Sequence, residues 1–158
     1  MQKLVVALNF SLYNRPLFRG HCVISQAIGT GILSVLSIDT TDVDTDGGRS
    51  GVGSGNDRYV CRTQGWYTIS ATVSYQGNGT GARFAVIYVN GVTVNGGFTS
   101  SFNTLSDNCG VTLTGLFHLN VNDYVQLVAY QDSGATFSTA TTPGYQATSI
   151  SIAFELAG

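Results

Sequence analysis

Charged residues are scarce in this chain. They make up 10 % of its 158 residues, against about a quarter in an average globular domain. Lys3 is the single lysine, and the formal net charge is −2. Because no basic stripe is available to neutralise phosphates, nucleic-acid binding is not expected. A surface with so few charges is weakly solvated, which favours burial in an oligomer or larger assembly over a monomer kept soluble by Ser, Thr and Asn alone.

Long apolar runs and paired cysteines are also missing. No stretch approaches the roughly 20 apolar residues that a membrane helix needs, so no membrane partner is expected. The apolar run near the N-terminus breaks at Asn9, and no small-residue cleavage site follows it, unlike in a secretory signal peptide. The cysteines are Cys22, Cys61 and Cys109. Their odd number and spacing indicate buried thiols in a reducing cytosol, although one disulfide with one free thiol stays open.

Helical periodicity is absent as well, and the chain is predicted to be all-β. Twenty glycines and short β-branched or aromatic runs, separated by Gly, Asn and Asp turns, are typical of a sandwich or barrel. Residues 40–57 are Gly-rich and are predicted to form a long excursion without strands. The count of nine or ten strands favours a two-sheet jelly roll. The predicted strands are 3–13, 20–27, 32–39, 58–62, 66–75, 82–90, 110–119, 123–131 and 147–157.

The dipeptide Asn90-Gly91 is the strongest local signal. It lies between the apolar runs AVIYV and VTV. Both central residues of a type I′ turn need positive φ, which Asn and Gly tolerate. The pair therefore predicts a hairpin that joins these two runs.

Catalytic constellations are weak. His21 adjoins Cys22, but neighbours on a strand point to opposite faces, so this histidine cannot easily activate this thiol. Cys61 and His118 remain a possible spatial pair, against the simpler interpretation of a structural thiol and a hydrogen-bonded histidine. Paired carboxylates of the glycosidase kind are also not expected, since Glu155 is the only glutamate. We therefore expect no enzymatic activity.

Four aspartates lie within eight residues, namely Asp39, Asp42, Asp44 and Asp46. The last three, with the glycine that follows, match the first half of a helix–loop–helix calcium loop. Position twelve of such a loop needs a bidentate Glu, but counting from Asp42 it is Gly53, and no helix pattern flanks the segment. The full calcium motif is therefore absent.

Three interpretations of this acidic stretch remain. The simplest is a solvated turn in which Asp side chains cap their own backbone. The second is polar contact between subunits or proteins, with Arg49 and Arg58 near enough in sequence to pair with the aspartates. The third, a minority interpretation, is a divalent cation such as calcium held by Asp42, Asp44 and Asp46. No other cofactor is expected.

The stretch RYVCRTQGWYTISATVSY, residues 58–75, resembles the C1q/TNF-like jelly-roll family. The family's Gly-x-Tyr turn is matched by Gly65, Trp66 and Tyr67, and the resemblance places Trp66 in a packed core-turn position.

Further matches to that family follow in the right order. FAVIYVNGVTV resembles the strand that ends in an Asn-Gly hairpin, here Asn90 and Gly91. LTGLFHLNVNDYVQLVAY resembles two strands joined by an acidic turn, here at Asp123, and SISIAFELAG resembles the closing strand. The resemblance implies an all-β sandwich of about ten antiparallel strands over residues 20–158, assembled as a homotrimer.

A narrower resemblance concerns function. A strand ending in Asp, an Asp-Thr-Asp-Gly stretch and then the Gly-x-Tyr turn are similar to C1q-like proteins carried by bacteriophages. The resemblance implies a trimeric capsid decoration protein that stabilises the shell from the outer surface of the head. Its partners would be its own copies and the major capsid protein, and it would be made in the bacterial cytoplasm and located on the virion.

Two alternatives to this role stay open. One is the receptor- or glycan-binding knob of a phage tail fibre, for which Tyr145 is a candidate for sugar stacking. The other, weaker one is a C1q-like protein outside any virus.

Residues 1–19 are predicted to be an N-terminal arm or first strand. Their alternating apolar side chains could complete the chain's own sheet, lie across a neighbouring subunit or dock on the capsid, since exposed strands seek partners. The last two options are favoured. The predicted contact residues are Leu4, Val6, Leu8, Phe10 and Tyr13.

Overall fold

The computed structural model describes residues 15–51, 57–102, 107–141 and 147–158. Within these ranges the backbone forms strands and turns, and it contains no helix that is long and apolar enough to cross a membrane. The strands are β1 (Leu17–His21), β2 (Ala27–Ile28), β3 (Ser34–Val35), β4 (Thr40–Asp44), β5 (Arg49–Ser50), β6 (Arg58–Val60), β7 (Gly65–Tyr75), β8 (Ala82–Val89), β9 (Val92–Phe102), β10 (Cys109–Leu119), β11 (Tyr124–Gln131), β12 (Phe137–Ser138) and β13 (Ser149–Leu156).

Two antiparallel sheets form the sandwich. The first sheet has the order β10–β7–β13–β1–β4, and the second has the order β5–β6–β11–β8–β9, with β3 also paired to β11. The short strands β2 and β12 pair with each other at the periphery. Neighbours in each sheet are mostly distant in sequence, as in a Greek-key or jelly-roll topology. The predicted all-β jelly roll is confirmed.

The core lies between the two sheets and follows from strand alternation. Along β7, every second side chain from Tyr67 to Tyr75 points inward and is buried. These side chains pack against inward residues of the second sheet, among them Ile87 and Leu127. The opposite positions of β7, beginning with Trp66, face outward. A one-residue slip would expose the whole inward set, so the core fixes the register.

The Asn90-Gly91 hairpin is confirmed. The two residues have φ of 55° and 79°, and they join β8 to β9 with Val89 opposite Val92. Positive φ at both central positions is what a type I′ turn requires.

Three strand predictions are wrong in detail. Residues 40–57 were predicted to lack strands, but β4 pairs with β1 and β5 pairs with β6. The predicted strands 20–27 and 32–39 are mostly connecting segments, with regular pairing confined to their short strands β2 and β3 and to the end of β1. In each case the strands are set by pairing with distant segments, which composition does not reveal.

Arg83 closes the end of the sandwich opposite the Asn90-Gly91 hairpin. Its side chain is fully buried, although it belongs to a residue type that is rarely buried. Its guanidinium donates hydrogen bonds to the carbonyl oxygens of Ala82 and Asn78, at 3.0 and 2.9 Å. It also lies over the ring of Phe137, 4.2 Å from the centroid. A planar cation suits both contacts, which ties β8 to the small sheet of β2 and β12.

Candidate assembly surface

The part of the first sheet's outer face formed by β7 and β10 is rich in hydroxyl groups and poor in charge. Outward positions of β7 and β10 pair across the sheet, with Thr72 Oγ1 at 2.8 Å from Thr112 Oγ1 and Thr114 Oγ1 at 3.0 Å from Ser70 Oγ. Neither strand contains Asp, Glu, Lys or Arg. Hydroxyl pairs of this kind stabilise neighbouring strands without binding a strong hydration shell.

The end of this face near the start of β1 is apolar. We define the lower patch as Leu17, Trp66, Leu116, Ala153 and Leu156. Strand pairing sets Leu17 opposite Ala153, and Trp66 opposite Leu156. More than half of the Leu116 and Leu156 side chains is exposed, and more than a third of Leu17 and Trp66. Thr68 lies between Ala153 and Leu116 in this part of the sheet. Clustered exposed apolar side chains of this kind are typical of interaction sites.

Trp66 corrects one expectation from the sequence. The family resemblance places it in the packed core, but the structure puts it on the outer face, with its ring edge-on to His118 at 5.3 Å between centroids. Strand alternation gives the core position to its neighbour Tyr67, which is fully buried.

The edge formed by β9 and β10 is uncharged too. These strands end the two sheets and lie beside each other. β9 has eleven residues without a charge, and its Phe98 and Phe102 are 54 % and 79 % exposed. The pairing of β9 with β8 shifts register between Val86 and Tyr88, but the strand has no Lys or Pro, the residues that discourage an exposed edge from pairing with other chains. The edge and the outward positions of β7 and β10 therefore form one continuous uncharged surface.

An aromatic depression marks the outer face of the second sheet. Phe84 packs against Phe98 and against Tyr130, at centroid distances of 5.2 and 5.0 Å. With Leu33 and Val86 these rings line a shallow cavity of about 300 Å³. It adjoins the β9 edge through Phe98.

Charged groups gather around β1 and β4 to β6. Arg19 lies two residues after Leu17 on β1, so it shares the outer face of the first sheet with the lower patch. Asp42 lies 3.0 Å from His21 Nδ1 and 3.4 Å from Arg19 Nε. These three residues, with Ala147 and Ser149, line an open groove of about 530 Å³. Arg49 pairs with the buried Asp57 at 3.3 Å rather than with the acidic stretch.

The predicted metal residues do not converge. Asp42 faces the groove, whereas the Asp44 carboxylate accepts hydrogen bonds from the backbone N–H groups of Gly48 and Arg49 at 3.0 and 3.1 Å. Asp46 accepts a hydrogen bond from the Tyr59 hydroxyl at 2.7 Å. Among the described residues no group of three His, Cys, Asp or Glu side chains could hold a metal ion. The capping role at Asp44 matches the simplest interpretation of this stretch.

Asp46 has an unfavourable environment. Burial raises the pKa of its carboxyl group above the ordinary 3.8, and the neighbouring Asp44 adds to this rise. One of its oxygens is buried without a hydrogen-bond partner. The hydrogen bond from Tyr59 opposes the shift without cancelling it.

The thiols and histidines are kept apart. Cys61 is buried beside Tyr67 and donates to the carbonyl of Thr63 at 3.1 Å, while His118 stands on the outer face beside Trp66. The Cys61–His118 pair is therefore not formed. Burial raises the pKa of the Cys22 thiol to about 12, so its reactive thiolate is suppressed. All three cysteines are free.

The remaining motif residues have structural roles. Gly65 starts β7 where an added Cβ would lie 2.5 Å from the carbonyl oxygen of Leu156, so no larger residue fits. Asp123 accepts hydrogen bonds from Asn90 Nδ2 at 2.8 Å and from the Asn120 backbone at 2.7 Å. Burial acts to raise the pKa of Asp123, but these hydrogen bonds outweigh it and lower the pKa. Asp123 thus joins the β10–β11 turn to the β8–β9 hairpin.

Two sets of predicted residues lie outside the described ranges. They are Tyr145, the candidate for sugar stacking, and the arm residues Leu4, Val6, Leu8, Phe10 and Tyr13.

Known structures share this fold. The globular domain of zebrafish complement 1qA protein matches with a TM-score of 0.64 and 11 % identity, over 90 % of this chain and 99 % of its own. Murine APRIL matches with a TM-score of 0.66 and 11 % identity, over 89 % of this chain and 99 % of its own. Eiger TNF from S. frugiperda matches with a TM-score of 0.61 and 9 % identity, over 91 % of this chain and 93 % of its own. No model of a protein family and no curated protein sequence matches the chain. The fold is therefore C1q/TNF-like.

Proposed function

We propose that this chain forms a homotrimer that decorates the outer surface of a bacteriophage head and stabilises the shell of major capsid protein. The continuous uncharged surface across β7, β9 and β10 carries the proposal. Burying it against another copy removes exposed Phe98 and Phe102 from water at no cost in desolvated charge.

A closed ring suits the shape of that surface. The β9–β10 edge and the outer face of the first sheet are different surfaces, so edge-to-face contact is heterologous, and a heterologous contact that closes makes a ring. C1q/TNF-like proteins commonly form such homotrimers. The phage assignment draws its support from the acidic stretch and Gly-x-Tyr turn of the sequence.

Shell stabilisation needs no catalysis, and the separated thiols and histidines suit a non-enzymatic role. Three linked contacts to neighbouring capsid subunits hold far more tightly than one, because the second and third become intramolecular. A trimer would therefore bind the shell tightly even when each single contact with a capsid subunit is weak.

Copy number on purified phage particles tests this function. Gel densitometry against the major capsid protein should give hundreds of copies per particle, and particles lacking the protein should release DNA at a lower temperature. A particle that is equally heat-resistant without the protein would contradict the reinforcing role.

The groove of Arg19, His21 and Asp42 favours a second candidate, the knob of a tail fibre that binds host glycans. It offers planar donors and a carboxylate beside a hydroxyl-rich face, which are groups that saccharides use. A few tens of copies located at the tail would support the knob over decoration.

A further inference from the structure

We propose that the lower patch is the seat for the N-terminal segment, residues 1–14, of a neighbouring copy, so that subunits exchange arms around the ring. This inference rests on the proposed trimer and names a contact within it.

The lower patch exposes apolar side chains that another chain segment could cover. Leu116 and Leu156 are 55 % and 54 % exposed, and Trp66 shows its ring to solvent next to them. The patch extends from β1 across β13 and β7 to β10, three strand spacings or about 14 Å. Apolar area of this kind is stabilised when a matching surface excludes water from it.

The N-terminal segment has the matching pattern. Leu4, Val6, Leu8 and Phe10 alternate with other residues, so an extended chain would present all four on one side. Fourteen extended residues reach about 46 Å, several times the width of the patch. Lys3 is the only charge before Arg15, and Glu155, the acidic group next to Leu156, is exposed at the rim of the patch.

The contacts at the start of β1 fix the direction in which the chain enters the sheet. The carbonyl oxygen of Pro16 accepts from Phe154 N at 3.0 Å, and that of Arg15 accepts from Thr45 Oγ1 at 3.0 Å. Thr45 Oγ1 also accepts from Leu17 N at 2.8 Å. The chain is therefore held in line with β1 as it enters the sheet.

Proline adds to this direction, because a residue before Pro is biased towards extended backbone. To cover its own patch the segment would have to reverse immediately before Arg15. A segment that kept the direction of β1 would instead leave its own subunit and could reach a neighbouring copy. This favours arm exchange over a segment folded on its own sheet.

Trp66 is the only tryptophan in the chain, so its fluorescence reports the patch directly. Deleting residues 2–13 should shift the emission to longer wavelength and raise quenching by acrylamide severalfold. Phe10→Ser should act in the same direction, whereas the matched control Asn9→Ser, on the opposite side of the extended segment, should leave the spectrum unchanged.

A mixing experiment identifies the source of the arm. Truncated chains that keep Trp66 are co-refolded with an excess of full-length Trp66→Phe chains. Arms from the second chain should restore the short-wavelength emission of the first. Emission that stays shifted in the mixed assemblies would overturn exchange, as would a truncated chain whose emission equals that of the full-length protein.

Light scattering on the same samples separates this inference from the proposed function. A full-length trimer with freely quenched Trp66 would overturn arm exchange alone. A full-length monomer would overturn the trimer and the exchange together.

Discussion

Ionisation of the Asp46 carboxyl group opposes folding. This group has a raised pKa because it is partly buried beside Asp44. The folded chain therefore holds this proton more tightly than the unfolded chain. By linkage, the folded state gains stability as the pH falls from neutrality through the raised pKa towards 3.8, and loses it as the pH rises.

Asp46→Asn should therefore stabilise the protein at pH 7. The amide oxygen can still accept from Tyr59, while the buried charge is gone, so we expect the unfolding free energy to rise by about 1 kcal/mol. The gain should shrink as the pH approaches 4, which urea unfolding at both pH values would measure. The exposed Asp107→Asn is the control. A variant less stable than the parent at pH 7 would show that the charged form is favoured.

For single residues, the sequence predicts those features that depend only on the residue types of a short local segment. The positive φ of Asn90 and Gly91 follows from the two residue types alone. The burial of Arg83 does not, because it depends on carbonyl groups and a phenyl ring brought together from distant parts of the chain. The outward position of Trp66 could have been predicted from strict alternation with Tyr67.

The β8–β9 hairpin shows how one element depends on a turn. Gly91 has φ of 79°, where a side chain costs about 1–2 kcal/mol. An added Cβ would also lie 3.1 Å from the Tyr124 hydroxyl. Gly91→Ala should thus lower the unfolding free energy by about 2 kcal/mol.

Thermal or urea unfolding measures this loss. The matched control is Gly31→Ala, at φ of 71° with no atom within 4 Å of the added Cβ, which carries the conformational cost only. Equal losses in the two variants would mean that the contact with Tyr124 adds nothing.

Strands whose own sequence alternates between apolar and polar residues could be predicted. Strands that form only because a distant strand offers them hydrogen bonds could not. β7, β10, β11 and β13 have clear alternation and appear close to their predicted bounds. β4 and β5 lie in a Gly- and Asp-rich stretch and exist because β1 and β6 offer them hydrogen bonds. The candidate surface was likewise predictable only as a shortage of charge, since its location needed the order of the strands.

Across the whole molecule, charged groups gather around β1 and β4 to β6, whereas β7, β9 and β10 contain no Asp, Glu, Lys or Arg. Thr114 lies exposed near the centre of the uncharged surface. Thr114→Lys should leave the subunit's own stability within about 0.5 kcal/mol, as surface substitutions do. In the proposed ring, however, it would place a desolvated charge in every interface.

We therefore expect Thr114→Lys to give a folded monomer, seen by light scattering together with an unchanged circular dichroism spectrum. Thr136→Lys, in the exposed loop after β11 and away from the face, should remain a trimer. A Thr114→Lys protein that stays trimeric would exclude this face as the interface.

The division of charge also sets how the assembly should respond to ionic strength. Contacts made through β7, β9 and β10 involve no ion pairs that salt could screen, so sodium chloride should leave them intact and sulfate should strengthen them. Contacts that a partner makes with the charged side chains of Arg19 and Asp42 are screened by salt, so they should weaken as the salt concentration rises. The same change in buffer would thus release a partner bound at Arg19 and Asp42 while leaving the proposed trimer intact.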